Sequence, residues 1–246
     1  MTHKILVAIP TYAGGAYCRS LLIEYLSHIP TPNLSFLFVT NSGERDKKDL
    51  EDATAKLRNC RVVLNEETFS EPYDQVVSNR NKIRSEFLAG DYDYLVFFDH
   101  DVIGPLNAID ILLSHNKKAV SGWYIMGSQH PGEDKPKPRP MVYVFTDESQ
   151  EFVRQLELAH VLKPQLMKVA STGLGCVLLH RSLLEKISFS RLNGTEDAPF
   201  YKDVREQGED LWLDTRVACW HIKHPPGSKD NMLYDPRNYS LKEPEK

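Results

Sequence analysis

The sequence predicts an α/β fold: a mostly parallel central sheet with helices on both faces, followed by a smaller mixed region. Three observations carry this. Apolar runs of strand length alternate with helical patterns through the first half of the chain. The run Tyr94–Phe98 has no polar alternation, as in a strand covered on both faces. Turn and stop residues, such as Pro30 to Asn33 and Gly90, separate the segments.

Residues 4–9 form an apolar strand, and Gly14 and Gly15 open a helix with Leu21, Leu22, Tyr25 and Leu26 at helical spacing. Leu34–Thr40 is the second strand. Residues 46–58 form a charged helix with Leu50, Ala53 and Leu57 on one face. Cys60–Leu64 is the third strand, 73–88 a helix that Gly90 caps, and Tyr94–Phe98 the fourth strand. A helix over 106–115 and a strand over 119–124 follow. The proline-rich stretch 130–140 cannot be helix or central strand and reads as an exposed mobile loop. Beyond it, 141–145, Leu166–Val169 and 176–179 read as strands of mixed direction. Short helices are expected at 182–187 and 199–207, and short strands at 210–213 and 217–220.

The 246 residues suit one domain over 1–224, with a Pro-, Gly- and charge-rich tail over 225–246 that frays or orders over a ligand. With 34 acidic against 30 basic residues the net charge is −4, which argues against a general nucleic-acid binder. No apolar run approaches the ~20 residues of a membrane span. The N-terminal residues read as a buried strand rather than a secretory leader. The four cysteines are scattered without a CxxC pair, so the expectation is reduced thiols in a cytoplasmic protein, with peripheral membrane contact left open.

The strongest local signal is Asp99-His100-Asp101, directly after the fourth strand. Ligands of parallel sheets bind beyond the carboxyl ends of the strands. In extended chain, side chains at i and i+2 share a side, and paired carboxylates there suit magnesium or manganese bridging to substrate phosphates. The bland alternative is that both aspartates merely turn the chain. The segment from Ser171 to Cys176 is glycine-rich but lacks the GK[ST] of a P-loop.

Here the chain resembles glycosyltransferases of the GT-A fold, nearest to the family 2 type. The resemblance rests on Pro10-Thr11-Tyr12 at the end of the first strand, Asn79-Arg80-Asn81 on a helix, and the run from Tyr94 into Asp99-His100-Asp101. It rests further on the acidic pair Glu196-Asp197 before an aromatic helix, and on the later strand that ends in Trp220-His221. Together these span residues 4–224. The resemblance implies a hexosyltransferase-type enzyme that takes a UDP- or GDP-sugar donor and an unidentified hydroxyl acceptor, with Mn2+ or Mg2+ as cofactor.

Carried over residue by residue, it puts Pro10, Thr11 and Tyr12 at the nucleotide base. Asn41 stands where relatives have an acidic residue, so it hydrogen-bonds the base or ribose edge without charge. Arg80, joined by Arg84 one turn later, contacts base or diphosphate. Asp99, Asp101 and His221 are the metal ligands, with His224 in reserve and His100 as spacer or supporting donor. Neutral imidazole favours manganese slightly. Trp123, at the lip of the fifth strand with Tyr124, stacks on sugar, and Gly173 and Gly175 lie against it. Asp197, paired with Glu196 after the Asn193-Gly194-Thr195 turn, is the base for an inverting reaction. Its alternative role is to cap the helix that follows. Glu209-Asp210 reads as structural. The basic residues Lys135, Lys137, Arg139, Lys223, Lys229 and Arg237 belong to segments that would close over a diphosphate. The rival readings are a nucleotidyltransferase acting on sugar phosphates, which needs a basic glycine-rich loop after the first strand, and a non-catalytic nucleotide-sugar binding protein, which does not need Asp197.

Overall fold

A computed structural model describes residues 3–192 and 194–240. Unbroken apolar runs become strands with both faces covered. In chain order the first half consists of β1 (Ile5–Thr11), α1 (Arg19–Ser27), β2 (Leu34–Thr40), α2 (Gly43–Thr54), β3 (Cys60–Leu64), α3 (Pro72–Ala89) and β4 (Tyr94–Phe98). Next come β5 (Val102–Ile103), α4 (Ala108–Leu113), β6 (Ala119–Ser128), β7 (Lys137–Pro140), β8 (Val142–Phe145) and β9 (Val153–Gln155). The chain then forms α5 (Leu158–Val161), β10 (Leu166–Val169), β11 (Ser171–Thr172), β12 (Cys176–His180), α6 (Arg181–Leu184), α7 (Asp197–Glu206) and β13 (Leu211–His221).

The central sheet runs β10-β13-β6-β12-β4-β1-β2-β3. Strands β3, β2, β1 and β4 are parallel, as are β6 and β13, while β12 is inserted antiparallel between β4 and β6. A separate antiparallel sheet, β11-β8-β9, carries part of the second half. Side-chain alternation gives two cores, one per sheet face. Strand β1 sends Leu6 and Ala8 to one core and Ile5, Val7 and Ile9 to the other; β4 sends Leu95 and Phe97 to the first and Val96 and Phe98 to the second. Among the described residues no helix is long and apolar enough to cross a membrane.

Several expectations change. The stretch 130–140 is not a free loop: β7 pairs antiparallel with the end of β6. An outer strand tolerates prolines that lack an N–H. Arg139 pins this stretch by donating to Ser128 O (2.8 Å) and to both carboxylate oxygens of Glu133. Residues 210–213 and 217–220 belong to one strand, β13, whose register on β6 shifts between Leu213 and Ala218. At that bulge Asp214 accepts from Arg216, and Thr215 O accepts from the Trp123 indole (2.9 Å). The Gly14–Gly15 segment is a 3-10 turn, Ala13–Cys18, ahead of α1. Gly90 ends α3 in an extended conformation (φ −92°), not a left-handed one; its amide donates to Phe87 O. The tail makes two 3-10 turns, Lys229–Tyr234 and Pro236–Asn238, packed beside β6 and β13. The rest of the expected tail, 241–246, lies outside the described residues.

Gly122 sits at the bulge, where a Cβ would come within 2.6 Å of both Val217 Cγ1 and Val217 O. Backbone cannot yield there as a flexible side chain would. Gly122→Ala is therefore expected to lower unfolding stability by about 1–3 kcal/mol, read from a urea melt.

Candidate functional site

The carboxyl ends of β1, β2 and β4 open on a cavity of about 670 Å3. Each contributing element reaches it for a local reason. Strand β1 supplies Pro10 and Thr11 and hands on to Tyr12. The turn after β2 supplies Asn41 and Ser42. It is braced by Ser42 Oγ, which accepts from Ala13 N (2.9 Å), and by Asp46, which accepts from Thr40 Oγ1 and Arg19 Nη2 (2.7 Å). Helix α3 presents Pro72, Val76, Asn79 and Arg80 at three- and four-residue spacing on one face. Tyr124 and Met126 come from β6, Glu196 from the start of α7, and His221 and Lys223 from the end of β13.

Arg80 is the most deeply buried charge in the cavity wall, 2% exposed. Its Nε donates to Glu196 Oε1 (3.1 Å), its Nη2 donates to Asp99 Oδ1 and Oδ2 (3.0 and 3.3 Å), and its guanidinium lies over the Phe97 ring (4.9 Å). Burial alone would weaken its hold on the proton, but Asp99, Glu196 and Asp197 outweigh that and raise it further. Its Nη1 is buried without a partner, and so is Asn41 Oδ1; these are the two such side-chain atoms among the described residues. Both residues line the same cavity.

The two aspartates line the same cavity but take different partners. Val102 N donates to Asp99 O (3.0 Å), so residues 99–102 form a turn rather than extended chain. The turn sends Asp99 to Arg80 and Asp101 to His221, whose Nε2 lies 3.3 Å from Asp101 Oδ2. Burial raises Asp99 above the usual carboxylate range despite Arg80. For Asp101 burial acts the same way, but the hydrogen bond and positive charge of His221, then His100 and Lys223, hold it down at about 2. No group of three or more His, Cys, Asp or Glu side chains converges as a metal site among the described residues.

The pair Asp101–His221 nevertheless fits a divalent cation. His221 Nδ1 lies 3.1 Å from Ile125 O and donates to it. That leaves Nε2 as the ring atom facing Asp101, where an imidazole and a carboxylate together could hold a cation. One oxygen and one imidazole ligand, completed by substrate phosphates, suit Mn2+ or Mg2+.

Of the residues expected at the site, Pro10, Thr11, Tyr12, Asn41, Arg80, Asp99, His100, Asp101, Glu196 and His221 line this cavity. Arg84 turns away and donates its Nε to Leu184 O (2.6 Å), tying α3 to α6. Trp123 points into the core, because successive strand residues face opposite sides; Tyr124 is the one at the cavity. Gly173 and Gly175 lie under it: a Cβ at Gly173 would strike the Tyr124 hydroxyl, and one at Gly175 would sit 3.0 Å from Asp99 Oδ2. The loop between them clasps Asp197, whose Oδ1 accepts from Leu174 N (3.0 Å). Asp197 is therefore the first residue of α7 but not a cap on it. Its neighbour Glu196 is at the wall; Asp197 sits behind, half-buried. Burial, then the charge of Glu196, raises Asp197 to about 8. In the preceding turn Leu192 and Thr195 bridge and Gly194 has φ +89°, while Asn193 lies outside the described residues. Tyr124, named with Trp123 at the strand lip, and Lys223, named among the basic residues of the closing segments, are both at the cavity. Sequence reasoning gave no site role to Phe69, Tyr73 or Asn79, whose positions depend on loop and helix placement.

No protein-family model matches the chain, and no curated protein does. Solved structures do. The mannosyltransferase PcManGT from Pyrobaculum calidifontis, in complex with GDP-Man and Mn2+, superposes with TM-score 0.60 at 14% identity, over 92% of this chain and 59% of that one. S. aureus TarS 1–349, in complex with UDP-GlcNAc, gives 0.54 at 16% identity, over 88% and 57%. This chain thus spans less than two thirds of either. The fold is that of GT-A-like nucleotide-sugar glycosyltransferases.

Asp197 keeps its proton up to about pH 8 in the folded chain but loses it near its ordinary value of 3.8 when unfolded. Between those values the folded state binds more protons, so this group's contribution to stability falls as pH rises. Asp197→Asn stays neutral and still offers an oxygen to Leu174 N. Its melting temperature should match wild type near pH 4 and exceed it at pH 8, as scanning calorimetry would show.

Proposed function

We propose that the chain transfers a sugar from a nucleoside-diphosphate sugar, UDP- or GDP-linked, to an acceptor hydroxyl. The observation that carries this reading is the pair of unpartnered buried atoms, Asn41 Oδ1 and Arg80 Nη1, in one cavity wall. Unmet polar groups in a protein interior are costly unless a ligand completes them. The first needs an N–H, as a nucleobase edge supplies; the second needs an oxygen, as ribose or phosphate supplies. Tyr12, Phe69 and Tyr73, each about half exposed at the same cavity, offer rings for the base to stack on. The UDP-GlcNAc and GDP-Man held by the two structural neighbours support the same class of donor. The nucleotidyltransferase alternative calls for a basic glycine-rich loop after β1, but the segment from Tyr12 to Arg19 carries one basic residue, Arg19, and that pairs with Asp46.

Charge balance supports a metal. Two cationic side chains of the wall, Arg80 and Lys223, face three carboxylates, Asp99, Asp101 and Glu196. A diphosphate entering alone meets a net negative field. Asp101 and His221 would hold Mn2+ or Mg2+, which would supply the missing positive charge to a leaving diphosphate. Asp99, through both oxygens, keeps Arg80 oriented. Tyr124 and the Gly173–Gly175 segment shape the floor, and Arg84 and Trp123 support the wall from behind.

Asp197 is the group in this reading that takes the acceptor's proton as the hydroxyl attacks the anomeric carbon. A carboxylate raised to about 8 is a far better base than an ordinary one. The charged groups around Asp197 are Glu196, Arg80 and Asp99, and burial keeps the nearby Tyr124, Tyr143 and Tyr201 phenols protonated.

Calorimetric titration with UDP- and GDP-sugars should give binding that Mn2+ strengthens, and Asp101→Ala should erase the Mn2+ enhancement. No heat from any nucleotide-sugar, with or without Mn2+, refutes the reading. Asp197→Asn should bind the donor within about twofold of wild type yet lose transfer by about 10²–10⁴-fold. In wild type, transfer should rise with pH through about 8, as Asp197 ionises; a rate flat across that range removes Asp197 from the role.

A further inference from the structure

Six basic residues stood as candidates to close over a diphosphate, and most are engaged elsewhere. Lys137 and Arg139 pair with Glu133. Arg237 forks onto Asp235 and covers the Trp220 ring (5.3 Å). Lys135 and Lys229 do not reach the cavity. Lys223 does, and among the described residues its ammonium forms no ion pair, whereas the other cation of the wall, Arg80, is already shared between two carboxylates.

The backbone around Lys223 is fixed on both sides. On one side Ile222 N donates to Asp101 O (2.8 Å), and Ile222 O accepts from the Tyr17 hydroxyl (2.9 Å). On the other, His224 N donates to Asn231 Oδ1 (2.9 Å) and His224 O accepts from Asn231 Nδ2 (2.8 Å). Asn231 is itself buried, in the first 3-10 turn of the tail. The first turn of the tail therefore braces this backbone. It holds a free cation beside the Asp101–His221 pair, and the ammonium is close enough to help keep Asp101 ionised.

We propose that Lys223 grips the diphosphate of the donor, a contact made by its ammonium with phosphate oxygens on the His221 side of the cavity. This rests on the nucleotide-sugar reading above. A flexible ammonium tolerates the changing geometry of a departing diphosphate, and one charge-assisted contact of this kind is worth roughly tenfold or more in affinity. The long side chain is exposed, so its removal leaves the fold intact.

The test compares wild type, Lys223→Ala and Lys223→Arg by calorimetry in Mn2+, with UDP and GDP as probes and uridine and guanosine as controls. Lys223→Ala is expected to weaken the preferred diphosphate by about tenfold while leaving its nucleoside unchanged, and Lys223→Arg to restore most of the loss. Equal diphosphate affinity in Lys223→Ala and wild type overturns the proposal. So does a parallel loss for the nucleoside, which would mean that Lys223 acts on the base or the fold. If wild type binds neither UDP nor GDP, the nucleotide-sugar reading itself fails and takes this contact with it.

Discussion

A guanidinium that is 2% exposed cannot stand alone, and the architecture of the site follows from how Arg80 is compensated. Its partners come from distant parts of the chain: Asp99 from the end of β4 and Glu196 from the start of α7. Removing one partner of such a buried pair typically costs about 3–5 kcal/mol, because the remaining charge is left in a poor solvent. The interaction therefore ties α3, β4 and α7 into one frame. It also leaves Arg80 Nη1 buried without a protein partner.

From that constraint comes a division of labour between the two aspartates. Asp99 is committed to Arg80, so the turn after β4 frees only Asp101 for His221. Behind them, the loop from Gly173 to Gly175 connects Asp99 and Asp197. Gly175 O accepts from Asp99 N (3.1 Å), Leu174 N donates to Asp197, and Tyr124 presses on Gly173. Side chains larger than hydrogen at the two glycines would force these groups apart. Burial first, and then the neighbouring charge of Glu196, raises Asp197 despite Arg80.

Much of this was legible in the sequence. The strands Leu34–Thr40, Cys60–Leu64, Tyr94–Phe98 and Leu166–Val169 are where the apolar runs placed them. Strands β2 and β4 are covered on both faces and so have sharp polar boundaries, while β3 and β10 are the outer strands of the sheet and carry the exposed positions. The order of Pro10, Arg80, Asp99, Asp101, Glu196 and His221 along the chain also brought those residues to one cavity. What was not legible depends on three dimensions. Which partner Asp99 and Asp101 each take depends on the turn between them. Trp123 and Tyr124 swap roles by strand alternation once the register is known. The proline-rich stretch reads as loop until Glu133 meets Arg139 and β6 offers an edge. The tail reads as frayed until Asn231 is seen to tie it down.

A crystal structure of the protein with Mn2+ and a nucleoside diphosphate is the most direct test. The account predicts the nucleotide in the cavity beyond β1, β2 and β4, with Asn41 Oδ1 and Arg80 Nη1 both gaining ligand partners and Arg80 still clasped by Asp99 and Glu196. A nucleotide bound elsewhere, with both of those atoms still unpartnered, would contradict it.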